Sequence, residues 1–179
     1  MDCSATALSC IGFWVTLLSL TELRCLASGE GYHFTAWRNV FILDFYRTVT
    51  VEALDATTIA KRLALKANPE GLIVLNLVDG TQPVPSGPIR AYAAERSKKD
   101  LGGVLCHATI VFGDGFRVAT MRSVLSGIIV VQHSPFPRRV FSSVGEAAVW
   151  TAKFASAAPG YVQGLVEAVR QAQERTQKP

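Results

Sequence analysis

The apolar positions of this chain repeat every second residue in some segments and every three to four residues in others. Two short aromatic and β-branched runs within residues 32–46 are separated by Arg38 and Asn39, which predicts a β-hairpin with the asparagine in its turn. Asp44 falls on the same strand face as apolar neighbours. We expect it to lie near a sheet edge or to pair with Arg38 or Arg47.

A helical pattern then begins at Thr50, a good N-cap residue, and continues to Lys66. Its first turn is acidic and its last turn is basic, which suits the helix dipole. Four apolar residues recur at roughly helical spacing and predict the face that packs on the sheet: Val51, Leu54, Ile59 and Leu63.

The segment from Gly71 to Arg96 is the one around which we expect the chain to be organised. Residues 72–78 form a nearly continuous apolar run, which is typical of a strand covered on both faces. A loop rich in glycine and proline follows, and Ser86 then precedes a helix over residues 89–99. This order places backbone N–H groups at the carboxyl edge of a sheet, where we expect any functional site to lie.

The second half of the chain repeats the alternation. The pattern predicts a strand over 104–112, a helix over 116–131, a strand over 139–142, a helix from a capping box at Ser143 and Glu146 to about residue 156, and a final helix over 161–175. Cys106 and His107 are adjacent in the first of these strands. Their side chains should therefore lie on opposite faces, which excludes a thiol–base pair.

Alternating strands and helices predict an α/β fold. We expect a small, mainly parallel sheet of four to five strands with an N-terminal hairpin, helices packed on it and an extra C-terminal helix. The expected divisions are an apolar extension over residues 1–31, an α/β domain over residues 32–158, and a C-terminal helix and tail over residues 159–179. In its element order from Tyr32 to Ser156, the chain resembles the STAS-like domains, the fold of bacterial anti-anti-sigma factors.

One motif supports this resemblance. The sequence LIVLNLVDGTQPVPSGPIRAY is similar to the strand and turn of anti-anti-sigma proteins, in which a phosphorylatable serine is followed by a glycine and a helix. Ser86 and Gly87 occupy that place. The resemblance implies a phosphorylation or partner site there, with a kinase or another regulatory protein as the partner. From the residues alone, Ser86 is a helix N-cap, and both interpretations stay open.

Composition excludes several other classes of function. The chain has 179 residues and a formal net charge of +4, but no dense basic cluster, which argues against a nucleic-acid-binding protein. Four cysteines without CxxC spacing and three scattered histidines predict neither a metal site nor a disulfide framework. No glycine motif for phosphate or dinucleotide binding occurs, so we expect no cofactor, and no catalytic set can be read from spacing.

The nineteen residues from Cys3 to Thr21 carry no charge. They could form a weakly structured extension, a signal or membrane anchor, or a helix packed on the domain. Membrane association through residues 3–21 is not favoured, because polar residues interrupt the run and Asp2 stands where a signal peptide carries basic residues.

These features predict a non-catalytic, STAS-like regulatory or binding module in the cytoplasm of a bacterial cell. It would act through a protein partner or a small ligand, with a homodimer as a further option. One alternative is a ligand-binding or enzymatic protein with a pocket near the Ser86 loop, where Asp114 and Arg117 could contact an anion or another ligand. The other alternative is a protein that is membrane-associated or exported through its N-terminal segment.

Overall fold

The structure, a computed structural model, describes residues 22–83, 85–99, 102–131, 134–155 and 159–177. These residues form six strands and five helices. The strands are β1 (Arg24–Gly29), β2 (Tyr32–Trp37), β3 (Val40–Phe45), β4 (Leu72–Asp79), β5 (Val104–Phe112) and β6 (Arg138–Phe141). The helices are α1 (Val51–Ala67), α2 (Gly87–Lys99), α3 (Phe116–Val131), α4 (Val144–Thr151) and α5 (Tyr161–Gln177).

The strands form one mixed sheet in which the spatial order is the sequence order. Neighbouring strands from β1 to β3 are antiparallel, and those from β3 to β6 are parallel. Arg38 and Asn39 connect β2 to β3, and Arg38 has the left-handed φ of 52° that tight hairpin turns use. The predicted α/β fold with an N-terminal hairpin and a C-terminal helix is therefore confirmed.

The sheet contains more strands than the predicted four to five. The additional strand, β1, lies within the segment that the sequence analysis assigned to an extension, and it pairs with β2. Its six residues show no clear alternation, and the pairing shifts between Cys25 and Ala27, as in a β-bulge. Leu23, directly before β1, is only 5% exposed. The buried core thus begins before the predicted start of the domain at Tyr32.

One face of the sheet, called here the α5 face, packs against α4 and α5. Leu165 and Val169 of α5 are buried on apolar side chains that point out of β2 to β6, among them Trp37, Ile42, Leu75, Ala108 and Phe141. Gly164 allows the close approach of α5, because a Cβ at this position would lie 2.7 Å from the Trp37 ring. The C-terminal helix therefore contributes directly to the core.

The opposite face, called here the α1 face, has a different kind of packing. Phe34 and Phe41 of the sheet are fully buried against Ala60 and Ala64 of α1. The aromatic rings fill the space below the helix, so small side chains are what fit between them. Large residues on the sheet and small residues on the helix together make a close-packed layer.

The predicted apolar face of α1 is wrong. Val51, Ile59 and Leu63, which were expected to pack on the sheet, are 38%, 62% and 50% exposed. The buried residues of the helix are three alanines and Lys61. The helix itself begins where it was predicted, and the Thr50 side chain accepts a hydrogen bond from the Ala53 N–H at 3.3 Å.

β5 sends Cys106 and His107 to opposite faces, as predicted. Cys106 belongs to the cluster on the α5 face, whereas His107 is paired in register with Val74 and Arg138 on the other side. Burial, together with the charges of Arg138 and Lys61, lowers the pKa of His107 to about 3. The imidazole is therefore neutral at ordinary pH and lies on the opposite face of the sheet from the thiol.

α2 is attached to α1 by polar contacts. The Tyr92 hydroxyl donates a hydrogen bond to Asp55 of α1 at 2.7 Å, and Arg96 forms an ion pair with the same carboxylate. None of the side chains described for α2, residues 87–96, is buried. This crossover helix is thus held at the surface by polar groups and buries no apolar face.

The uncharged run from Cys3 to Thr21 lies outside the described residues. Among the helices of the described ranges, none combines the length and the apolar character needed to cross a bilayer.

Candidate functional site

The residues that the sequence singled out lie near the carboxyl edge of the parallel strands. Ser86 and Gly87 are at the start of α2, and Asp114 and Arg117 lie between β5 and the first turn of α3. All four are exposed. Within the described ranges, no hydrogen bond or ion pair joins them. They share one edge of the sheet, and a ligand or partner site at these residues stays a prediction.

Ser86 presents an exposed hydroxyl. Its backbone carbonyl accepts the Arg90 N–H at 2.9 Å, while its hydroxyl has no hydrogen-bond partner among the described residues. The loop before it is fixed at its beginning, where Asp79 Oδ1 accepts hydrogen bonds from the Thr81 N–H and hydroxyl at 2.8 and 2.7 Å. The serine side chain is therefore accessible and is not used as a cap.

A cavity of about 330 Å³ lies at the same edge of the sheet, but beside β3 instead of β4. Most of its walls come from three elements: Cys25 and Ser28 from β1, Tyr32 and His33 from β2, and Arg175 and Thr176 from the last turn of α5. Tyr46, directly after β3, also lines it, and its hydroxyl donates to the Gly29 carbonyl at 2.8 Å. The cavity is thus formed where the C-terminal helix crosses the antiparallel edge of the sheet.

His33 is the buried polar group of this cavity. The residue is 9% exposed, and its Nε2 is buried without a hydrogen-bond partner among the described residues. Burial, and to a smaller extent the nearby Arg175 charge, lowers the pKa of His33 below its ordinary value of 6.5. A neutral imidazole with an unsatisfied nitrogen is costly in a folded protein unless something binds to it.

Asp44 of β3 is paired in register with His33 of β2 and is 8% exposed. Burial raises the pKa of this carboxyl to about 6, and a hydrogen bond from Thr176 opposes the shift. That hydrogen bond is long, 3.4 Å from Thr176 Oγ1 to Asp44 Oδ2, because the same hydroxyl donates to the Gln173 carbonyl at 2.7 Å. The carboxylate is therefore only weakly compensated.

The expected ion pair of Asp44 with Arg38 or Arg47 is not formed. Arg47 pairs with Glu30 at 2.6 Å, and the Arg38 guanidinium lies over the Trp37 ring, 4.7 Å from its centroid. Since both arginines have other contacts, neither of them offsets the free-energy cost of burying the Asp44 carboxylate. Its direct neighbour on the sheet is His33.

Arg175 supplies the charge of the cavity wall. The residue is exposed, and its Nη1 donates a hydrogen bond to the Leu23 carbonyl at 3.3 Å. No acidic side chain among the described residues pairs with it, and no carboxylate is among the side chains that line the cavity. The guanidinium therefore has donors left for another molecule.

Ser28, His33 and Asp44 lie side by side on three neighbouring strands, in register and on one face. The order is that of a serine–histidine–aspartate relay. No hydrogen bond joins the three side chains in the described structure, and a relay needs such bonds to move a proton. In the described parts of the chain, moreover, no three His, Cys, Asp or Glu side chains come close enough to hold a metal ion.

Sequence reasoning missed this cavity for a physical reason. Its walls come from residues 25–46 and from Arg175 and Thr176, which are far apart in the chain. The available signal was Asp44 on an apolar strand face together with His33 at the matching position of the hairpin. The identity of the helix that covers them could not be read from periodicity.

Family models, curated proteins and solved structures were each compared with the chain, and none matches it.

Proposed function

We propose that the protein is a non-catalytic regulatory or binding module of the STAS-like kind, which takes up a small ligand in the cavity beside His33. The observation that supports this function is a cavity of about 330 Å³ lined by His33, whose Nε2 is buried and has no hydrogen-bond partner among the described residues. A volume of this size is at the small end of ligand pockets, which span roughly 300–1,000 Å³. We further propose that the protein acts in the bacterial cytoplasm through a protein partner.

The test is the ¹H–¹⁵N NMR spectrum of the full chain during addition of small-metabolite mixtures. We expect shifts that cluster on the cavity wall, around Ser28, His33 and Thr176. A Ser28→Trp variant should abolish them by filling the cavity. Ser126→Trp, at an exposed position of α3, is the matched control and should leave them unchanged. Shifts that cluster elsewhere, or that survive Ser28→Trp, would contradict this function.

A second candidate function is a phosphorylation switch at Ser86. The observation that favours it is an exposed serine hydroxyl that no described residue hydrogen-bonds, directly before a helix N-terminus. We expect a phosphate-sized mass increment that peptide fragmentation locates at Ser86 when the chain is purified from its own cells. We also expect Ser86→Asp to lose a partner that Ser86→Ala still binds. Equal partner binding by both variants would exclude the switch.

A further inference from the structure

The side chains that can donate hydrogen bonds in the cavity line it together with a charged guanidinium. Arg175 is the charged side chain of the wall, and Ser28, His33 and Cys25 contribute a hydroxyl, an imidazole and a thiol. In the part of the chain that the structure describes, no acidic side chain lines the cavity. Charged donors of this kind bind carboxylates and phosphates more strongly than they bind neutral acceptors.

The arginine is held in place without being neutralised. Its Nη1 donates a hydrogen bond to the Leu23 carbonyl, which fixes one end of the guanidinium. The guanidinium has further N–H groups that can donate to a ligand. Its position in the last turn of α5 is favourable by itself, because cations stabilise helix C-termini. The dipole alone would be satisfied by an arginine directed into solvent, and it does not explain why Arg175 lines the cavity.

His33 and Ser28 lie opposite one another on β2 and β1. Directly paired residues of this type have Cβ atoms about 4.5–5.5 Å apart, so both side chains can reach one bound atom group. Arg175 lines the same cavity as this imidazole. One ligand oxygen could therefore satisfy the buried Nε2, which donates in one of its neutral tautomers.

From these observations we infer that the cavity is a binding site for a small organic anion that carries a carboxylate or phosphate group. Arg175 is the charge partner of the anionic group, His33 and Ser28 donate hydrogen bonds to it, and Tyr32 and Tyr46 flank the rest of the ligand. This inference rests on the proposed function, which requires a ligand in the cavity but does not specify its charge.

The experiment compares three probes of similar shape: benzoate, phenyl phosphate and neutral benzamide. Binding to the full chain is followed by NMR titration, and the two anions distinguish carboxylate from phosphate chemistry. We expect at least one anion to bind at the cavity and benzamide to bind at least about tenfold more weakly, because hydrogen bonds to charged groups are the stronger ones.

Two arginine variants test the charge partner. Arg175→Gln should weaken anion binding about tenfold or more, whereas Arg170→Gln, with the same change on the same helix, should leave it unchanged. Arg170 is exposed, pairs with Glu167 and Glu174 and does not line the cavity. His33→Phe keeps a ring of similar size, removes the nitrogen and should also weaken binding. Circular dichroism checks that each variant folds.

The outcomes separate the two levels of the proposal. Anion binding that is lost in Arg175→Gln and retained in Arg170→Gln supports the inference. Equal binding of benzamide and benzoate, insensitive to Arg175→Gln, overturns the anion assignment while the proposed ligand-binding function survives. If none of the three probes shifts the cavity resonances, and the metabolite mixtures do not either, both are overturned.

Discussion

The α5 face buries large helix side chains such as Leu165 and Val169, together with helix alanines, on the sheet, whereas the residues of α1 that are buried in the cluster on the α1 face are the alanines Ala60 and Ala64, against aromatic rings. The difference extends to the buried titratable groups. The α5 face contains Asp44 at its edge, and the other side of the sheet contains His107. Two faces of one sheet thus reach close packing by different routes, and the pKa shifts of Asp44 and His107 have opposite signs.

The contrast also explains why α1 leaves apolar residues in solvent. A helix that approaches the sheet through alanines lies low on it, so its larger apolar side chains point away. Ile59 and Leu63 are exposed for this reason, while α5 buries Leu165 completely. The hydrophobicity of a helix residue therefore says less about its burial than does the size of the residues opposite it.

The largest expected effect is the loss of Leu165 from the α5 face. Leu165→Ala removes a fully buried side chain and leaves a cavity, so the free energy of unfolding should fall by about 2–5 kcal/mol. Urea denaturation measures the change. The neighbouring Val166→Ala, at a position that is 39% exposed, should stay within about 0.5 kcal/mol of the parent. A loss below 1 kcal/mol for Leu165→Ala would mean that α5 is not part of the core.

Asp44→Asn should stabilise the protein at neutral pH. Burial raises the pKa of Asp44 from 3.8 to about 6. Between these two pH values, the folded state holds a proton that the unfolded state has lost. Stability from this group is present below pH 3.8 and is lost as the pH rises through 6. At about 1.4 kcal/mol per pKa unit, the gain at pH 7 is at most about 3 kcal/mol. Urea midpoints for both proteins from pH 4 to pH 8 should diverge as the pH rises.

His107→Gln should change the pH dependence in the opposite direction. The pKa of His107 is lowered to about 3 in the folded state. As the pH falls below 6.5, the unfolded state binds a proton at this imidazole, whereas the folded state does not bind it until about pH 3. Stability from this group is present above pH 6.5 and is lost as the pH falls towards 3. The variant should therefore lose less stability than the parent between pH 6.5 and pH 4. Parallel curves for the two proteins would show that the imidazole does not titrate in this way.

The alanine layer of the α1 face should not tolerate a larger side chain. Ala60→Leu introduces three carbon atoms at a position that is 0% exposed, and we expect a loss of about 1–3 kcal/mol. Ala67→Leu, at the exposed end of the same helix, serves as the control for the intrinsic effect of leucine. If Ala60→Leu is no less stable than Ala67→Leu, the space between helix and sheet is wider than the structure indicates.

The smallest effect is expected on the outer side of α1. Leu63→Gln replaces a side chain that is 50% exposed with another good helix former, and stability should stay within about 0.5 kcal/mol. Leu65→Gln, two positions away and packed against the α1-face cluster, should cost clearly more. A large loss for Leu63→Gln would show that its side chain is covered in solution.

Local patterns determined much of the fold. The sequence predicted the bounds of β5 and α3, the β2–β3 hairpin, the Thr50 cap and the Ser143 cap, whose Oγ accepts the Glu146 N–H at 3.2 Å. It also placed Cys106 and His107 on opposite faces. These features depend on residues that are neighbours in the chain, so propensity, capping and the period of a strand are sufficient to specify them.

Only the tertiary structure decided which residues face one another. Periodicity assigned Ile59 and Leu63 to the core, but the helix residues buried against the rings of Phe34 and Phe41 are Ala60 and Ala64. Likewise, residues 24–29 form the strand β1 because they pair with β2. The cavity exists because the packing of α5 brings Arg175 to the same cavity wall as His33. Burial and site geometry depend on the volume and charge of residues distant in the chain, which no local pattern contains.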